Sequence, residues 1–337
     1  MNKITKAFVL GAGLGKRLRP LTDELPKPLI PIFQKPLISF PLDHLIDIGI
    51  TNFVVNTHRQ PERFREFFDR DGSPSRPFNT FGAPSGRALP TRSVYRDFEI
   101  QLIHEPDLLE TGGGIRNAEA HLCGEAFLTY SGDILTDINL QPLIDEHFRC
   151  GNDVTLALRH TGLASGIALR GHRVVDIANR HGVAENFDFA NIAVWNSAIF
   201  QRIPPHKKIS FIPIIADWTG QGGRIGGVIM DDGKWFNISS RSEYLEVHRT
   251  ILRENWRPDY VKAPEWPERI ASSARVDSTA QLRGCTVVGR NCRVGAEAIL
   301  EDTILWPDAE IASQSRLEAC IVRSRKKVSG FHRNIDI

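Results

Sequence analysis

The sequence predicts an α/β protein: a mostly parallel, Rossmann-like sheet covered by helices, followed by a short prism of parallel β-coils. Three observations carry this. Short apolar runs alternate with amphipathic stretches through the first half of the chain. A glycine-rich loop with Gly11, Gly13 and Gly15 follows directly on the first run. Near the C-terminus Val276, Leu282, Val288, Val294, Leu300 and Trp306 recur every six positions.

Taken in order, residues 7–10 (AFVL) read as a buried strand and residues 37–48 as a helix stopped by Gly49. Residues 53–56 (FVVN) are a second strand, 61–68 a helix opened by proline, and 99–103 a third strand. A helix from about Gly114, a strand over 126–130 and a helix near 140–148 continue the alternation, with Asp137 as the expected cap of that last helix. Such sheets gather ligands at the carboxyl ends of their strands. Residues 71–97 are rich in Gly, Pro, Ser and Arg without apolar periodicity, and read as an extended surface insertion or a lid.

The composition shifts near Trp256, where RPDYVKAPEWPER reads as a linker lying against something. Beyond it, mostly small residues stand two places before each six-spaced apolar one: Ala274, Ala280, Thr286, Cys292, Ala298 and Ile304. That register matches a hexapeptide β-helix of roughly two coils. The expected domains are 1–254, a linker over 255–269, and a β-helix over 270–330. Its open end and flat faces suit self-association into a homo-oligomer.

The bulk properties narrow the functional classes. A formal charge of +2 on 337 residues, with 41% hydrophobic and 24% charged residues, gives no support to nucleic-acid or anionic-membrane binding. Five cysteines without a C-x-x-C pair read as thiols of a reduced, cytoplasmic protein. No apolar run reaches the roughly 20 residues that span a bilayer.

The loop after the first strand is the sharpest chemical signal. Leu10, Gly11, Ala12, Gly13 and Gly15 give a backbone that turns tightly and approaches a ligand, and Lys16, Arg17, Arg19 and Lys27 crowd cations beside it. A dinucleotide fingerprint would need glycine at Lys16; a P-loop would need glycine at Leu10 and Ser or Thr at Arg17. Neither fits. What remains suits a triphosphate, whose charge must be neutralised before a nucleophile approaches.

At these residues the chain resembles the sugar-1-phosphate nucleotidyltransferases, whose signature G-x-G-x-R-[LM]-x-P-x(n)-K-P is matched by Gly11, Gly13, Arg17, Leu18, Pro20, Lys27 and Pro28. The resemblance implies the family's nucleotide-diphospho-sugar transferase fold with a left-handed β-helix, and an NTP and a sugar 1-phosphate as partners. It implies that Arg17 clamps the triphosphate and Lys27 steadies the α-phosphoryl group. LETGGGI, with Thr111, Gly112 and Gly113, looks like the second glycine loop, beside base and ribose. Asp133 in YSGD looks like the Mg²⁺ ligand, and Ser165-Gly166-Ile167 like the segment beside the sugar. LETGGGI is closest to enzymes making UDP-N-acetylmuramic acid; the tail is closer to GDP-mannose-forming and ADP-glucose-forming relatives. Glu105 either accepts from a guanine edge, favouring GTP over UTP, or serves as a cap or surface residue.

The chain also departs from the family pattern. Asn237 stands where the second metal-binding aspartate is expected, and Ser239 replaces a glycine. Asn191 takes a glycine's place, and Asn179-Arg180 lies where relatives carry Glu-Lys facing the sugar. Two outcomes are consistent with this: a working transferase with retuned sugar or metal preference, or a catalytically weak or inactive nucleotide-sugar-binding regulatory homologue. His160, His172 and His181 receive no role.

Overall fold

The computed structural model describes residues 3–70, 91–162, 166–180, 182–183 and 187–337. They form two compact units, one of residues up to Leu14 with Pro41–Trp235, the other of Gly15–Phe40 with Phe236–Ile337. This grouping differs from the boundary read at 254. The segment 15–40 and the last helix of the predicted first domain both pack with the C-terminal coils.

The first unit is built on one ten-stranded sheet. Its strands in chain order are β1 (Lys6–Leu10), β2 (Asn52–Thr57), β3 (Thr91–Tyr95), β4 (Phe98–His104), β5 (Phe127–Ser131), β6 (Val154–Arg159), β7 (Ile167–Arg170), β8 (Arg173–Ile177), β9 (Asp188–Trp195) and β10 (Ile225–Ile229). Across the sheet they run β7-β8-β10-β6-β9-β5-β1-β2-β4-β3. From β5 through β4 the strands are parallel. The antiparallel β9 separates that run from the parallel pair β6 and β10. The parallel strands are buried almost throughout, as doubly covered strands must be. Their carboxyl ends put Leu10, Thr57, His104 and Ser131 along one edge.

Six helices matter here: α1 (Ser39–Asp47), α2 (Pro61–Arg70), α3 (Glu110–Asn117), α4 (Gln141–Arg149), α5 (Phe211–Gly220) and α6 (Arg241–Arg253). A continuous core joins Phe8, Val54, Phe127, Leu156 and Trp195 of the sheet to Ile115 of α3 and Phe211 and Ile215 of α5. Three sequence readings change. Residues 71–90 lie outside the described residues, whereas Thr91–Tyr95, expected in a loop, forms the edge strand β3 against β4. The α3 helix begins at Glu110 rather than Gly114, so the glycine run is helical. Asp137 does not cap α4; its Oδ1 accepts from the Lys234 N–H at 2.6 Å, while Asn139 Oδ1 accepts from the Gln141 N–H at 3.0 Å.

In the second unit, three parallel sheets form the coils. Residues 275–276, 293–294, 310–311 and 327–328 stack on one side; 281–283, 299–301, 316–318 and 331–333 on the next; 287–288, 304–305 and 321–322 on the third. Arg275 pairs with Arg293, eighteen residues on, but Arg293 pairs with Glu310, seventeen on. One residue is dropped at the corner near Asp302, which has φ 47°. The small–apolar pairs therefore continue as Thr303/Leu305, Ala309/Ile311, Ser315/Leu317 and Cys320/Val322, all buried. Ile304 and Trp306 do not belong to that series, and the prism exceeds the two coils expected.

The 15–40 segment is integral to this unit. Phe33 packs on His248 and Trp266, and Phe40 on Trp266, with centroids 4.9, 6.1 and 5.4 Å apart. The Gln34 amide donates to the Val288 carbonyl at 3.0 Å, and the Ser324 N–H to Glu24 Oε1 at 3.2 Å. The linker does lie against the fold: Trp266 is buried, and the Arg257 guanidinium ties its loop by donating to the carbonyls of Val261, Ala263 and Trp266.

Candidate functional site

The first glycine loop starts where β1 ends between β2 and β5. The Gly11 N–H donates to Asn56 Oδ1 at 2.8 Å, and a Cβ on Gly11 would lie 2.6 Å from the Asn56 carbonyl oxygen. This amide is therefore committed to the protein. Glycine is required there by the approach of β2, a reason the sequence did not expose. Ala12 is buried. Gly13 differs: it is exposed, its φ lies outside the left-handed region, and a Cβ would meet nothing within 4 Å among the described residues. On the other side of β1, the Gly132 N–H donates to the Leu10 carbonyl at 2.9 Å. A Cβ at Gly132 would sit 2.8 Å from that oxygen, so the turn carrying Asp133 lies tight against the loop's first residue.

The second glycine run packs closely on a neighbouring backbone. A Cβ at Gly112 would lie 2.8 Å from the Ile209 carbonyl oxygen, and one at Gly113 would overlap the Lys207 carbonyl oxygen. The Gly113 N–H donates to Ile209 at 3.0 Å, and the Thr111 hydroxyl accepts from the Phe211 N–H at 3.2 Å, at the start of α5. Side-chain-free positions let α3 lie directly on the backbone of 207–211.

Glu105 is buried, with 1% of its surface exposed. Its Oε1 accepts from the Asn56 amide at 2.8 Å and its Oε2 from the Leu109 N–H at 3.1 Å. Burial raises its pKa, and these two bonds oppose the rise. The expectation that Glu105 reads a guanine edge thus meets a carboxylate whose two oxygens are already engaged inside the protein. Asn56, a buried polar residue next to the end of β2, was the residue sequence reasoning missed.

Asp133 is half-buried, and the Ser131 hydroxyl donates to its Oδ1 at 2.6 Å. Just behind it Tyr130 is fully buried, with its hydroxyl 3.2 Å from His44 Nδ1. Thr136 and Asp137 then hold the backbone of Lys234 from the same stretch.

Ser165 and His181 lie outside the described residues. Gly166 (φ 62°), Ala178 (φ 59°) and Asn179 (φ 52°) form a left-handed corner at the open end of the hairpin β7–β8, opposite its turn at Gly171, and the Asn179 N–H donates to the Gly166 carbonyl at 3.4 Å. The Arg180 guanidinium pairs with Asp217 on α5. Asn191 sits at the irregularity of β9 with φ 62°. Asparagine is the residue that best replaces glycine in this conformation, so the departure from the family pattern preserves the backbone.

In the second unit, Gly15 (φ 58°) opens a 3-10 turn over Lys16–Leu18. The Thr22 hydroxyl donates to its carbonyl at 2.9 Å, and a Cβ there would lie 2.7 Å from Thr22 Cγ2. Lys16 and Arg17 are exposed, whereas Lys27 is buried at 7% exposure within a second 3-10 turn, Lys27–Leu29. Asn237 is half-buried just before α6. Ser239 earns its place in a capping arrangement. Its N–H and hydroxyl both donate to Glu243 Oε2 at 2.8 Å, while Ser240 Oγ accepts from the Glu243 N–H at 3.2 Å. The S-R-S-E spacing of a capping box was legible at 240–243.

With this geometry in hand, known proteins give a consistent comparison. The chain is 25% identical over 322 residues, 93% of its length and 82% of the relative's, to a mannose-1-phosphate guanylyltransferase of Mycobacterium tuberculosis. It is 36% identical over 137 residues, 40% of its length and 49% of the relative's, to an N-acetylmuramate alpha-1-phosphate uridylyltransferase of Neisseria meningitidis serogroup B. Among solved structures it resembles the inositol-1-phosphate CTP transferase from T. maritima, with TM-score 0.56, 18% identity, and 71% and 91% of the two chains covered. The sequence pattern of the nucleotidyl transferase family matches residues 6–254, the first sheet and the α6 helix included, and the chain belongs to that family.

Proposed function

We propose that this chain transfers a nucleotidyl group from an NTP to a sugar 1-phosphate, releasing pyrophosphate. The observation that carries the reading is Gly13: within the motif at 11–28 it is a glycine that no contact among the described residues and no left-handed φ demands, as a ligand-facing glycine would be. A sugar-phosphate oxygen, already ionised at neutral pH, attacks the α-phosphorus. The new P–O bond forms as the bond to the β-phosphate bridging oxygen breaks, and both electrons leave with pyrophosphate. No general base is needed, so charge neutralisation and positioning do the chemistry. Arg17 and Lys16 offer exposed positive charge for the triphosphate, and Lys27 steadies the α-phosphoryl group. Leu10, Ala12 and Gly13 offer backbone to the nucleotide. Gly166, Asn179, Arg180 and Asn191 frame the sugar end.

The resemblance puts Asp133 and Asn237 at the metal positions, and each by its chemistry carries the hard oxygen that Mg²⁺ takes alongside substrate phosphates and water. Bound there, Mg²⁺ would supply positive charge to the phosphates. An amide in place of a second carboxylate holds it more weakly. GDP-mannose-type chemistry is favoured by the Mycobacterium relative's coverage, with a UDP-sugar next, and a cytoplasmic setting and homo-oligomer go with it. The second reading, a nucleotide-sugar-binding regulator, is favoured by Asn237 alone.

Pyrophosphate release with Mg²⁺, each NTP and a panel of sugar 1-phosphates decides between them. Turnover abolished by Asp133→Ala supports the transferase. Absence of turnover in every combination, with activity gained in Asn237→Asp, supports the regulator.

A further inference from the structure

Asn56 does more than close a strand. Its Oδ1 takes the Gly11 N–H at 2.8 Å, its Nδ2 donates to Glu105 Oε1 at 2.8 Å, and Glu105 Oε2 takes the Leu109 N–H at 3.1 Å. Asn56 is 2% and Glu105 1% exposed. Glu105 is itself held at both backbone ends: its N–H donates to the Thr57 carbonyl at 2.7 Å, and His58 Nδ1 lies 2.8 Å from its carbonyl oxygen. Gly114 closes the arrangement from the α3 side, since a Cβ there would lie 2.9 Å from both Asn56 Nδ2 and Glu105 Oε1.

We infer that Asn56 and Glu105 are positioning residues that hold the first glycine loop, at Gly11, in fixed register with the second, at Leu109 and the start of α3. The inference rests on the nucleotidyl-transfer reading, in which both loops face one nucleotide. Each donor meets one acceptor: the Gly11 N–H meets the Asn56 amide oxygen, and the Asn56 amide N–H and the Leu109 N–H each meet one oxygen of the Glu105 carboxylate. Two buried polar side chains are costly to retain unless fully paired. Here they are paired to the first residue of one loop and the residue preceding the helix of the other. A glutamate this deep reads no base edge directly; it sets where the loops stand when a base arrives.

The polarity makes the inference testable by exchange. Glu105→Gln puts a donor against a donor at Asn56 or Leu109, and Asn56→Asp puts an acceptor against Glu105. The pair Asn56→Asp/Glu105→Gln restores every donor to an acceptor: Gly11 N–H to Asp, Gln amide to Asp, Leu109 N–H to Gln. Asn56→Ser severs the path without a charge clash. Asn196→Ala, which removes the cap oxygen that accepts from the Ala198 N–H, is a control that weakens the fold elsewhere. Hydrogen–deuterium exchange over residues 9–15 and the KM for each NTP are read for all five. Each single variant at 56 or 105 is expected to lose protection at Gly11 and raise the nucleotide KM about tenfold, a typical cost of a stranded buried donor, with kcat less affected. The exchanged pair returns both to within about threefold, and Asn196→Ala leaves both unchanged.

Unchanged Gly11 protection in Glu105→Gln and Asn56→Ser overturns the inference, as does an exchanged pair no better than its singles, or a control with the same KM rise. Should the wild type turn over no NTP, the transferase reading fails by itself. The exchange pattern still decides the coupling: protection lost in the singles and regained in the pair supports it, and any other pattern overturns it.

Discussion

The Tyr244 hydroxyl donates to the Pro31 carbonyl at 2.6 Å and receives the Trp306 indole N–H at 3.1 Å. Both rings are fully buried. One hydroxyl on α6 thus joins the segment carrying Lys27 to the β-coils. Removing it leaves an indole N–H and a carbonyl without their partner. Tyr244→Phe is expected to lower unfolding free energy by about 1–3 kcal/mol, measured by urea denaturation. A loss below about 0.5 kcal/mol would show that the bond is dispensable.

His248 lies in the same layer. Its Nε2 accepts from the Phe33 N–H at 3.0 Å, and its Nδ1 donates to the Tyr244 carbonyl at 2.7 Å. Burial lowers its pKa to about 4, and burial does the same to His44 and His147. A folded pKa below the unfolded one means the unfolded chain binds more protons between pH 4 and 6.5. Stability is therefore full above about pH 6.5 and declines as pH falls toward 4, by up to roughly 3 kcal/mol per histidine. Thermal midpoints taken between pH 7 and 5 should fall; a flat profile contradicts the buried neutral rings.

Asn191 gives a prediction of opposite sign from the usual one. At φ 62°, Asn191→Gly should be neutral within about 0.5 kcal/mol, while Asn191→Val should cost about 1–3 kcal/mol. Equal midpoints for Gly and Val variants would remove the backbone explanation.

The glycines separate by role. Gly113→Ala drives a methyl into the Lys207 carbonyl and should destabilise by about 2 kcal/mol or more. Gly13→Ala meets no neighbour and should leave the melting temperature unchanged while raising the KM for nucleotide. A Gly13→Ala protein with wild-type kinetics would deny the ligand a place beside that residue.

For the metal, Asn237→Asp restores a charge at the expected second position. Half-maximal activation should then need several-fold less Mg²⁺ in a titration of activity, because a carboxylate binds the ion more strongly than an amide. An unchanged Mg²⁺ requirement would take Asn237 out of the metal site.

Local patterns carried most of the fold. Strand β1, helices α1, α2 and α4, and the first inward positions Val288, Val294 and Leu300 follow from apolar spacing, because period and burial are linked within a few residues. The phase slip that excludes Trp306 was not visible, since one residue dropped at a corner leaves every local pair looking regular. The chain alone was also enough to recognise the motif at 11–28: spacing excluded the rival glycine loops, and the resemblance at Gly11, Gly13, Arg17, Leu18, Pro20, Lys27 and Pro28 supplied the family. It could not say why each glycine is there. That depends on which carbonyl comes within 3 Å of a missing Cβ: Asn56 for Gly11, Lys207 for Gly113, and none among the described residues for Gly13. Nor could it show that Glu105 turns inward to Asn56. Both are contacts between residues far apart in sequence, and only the packing of strands and helices brings their atoms together.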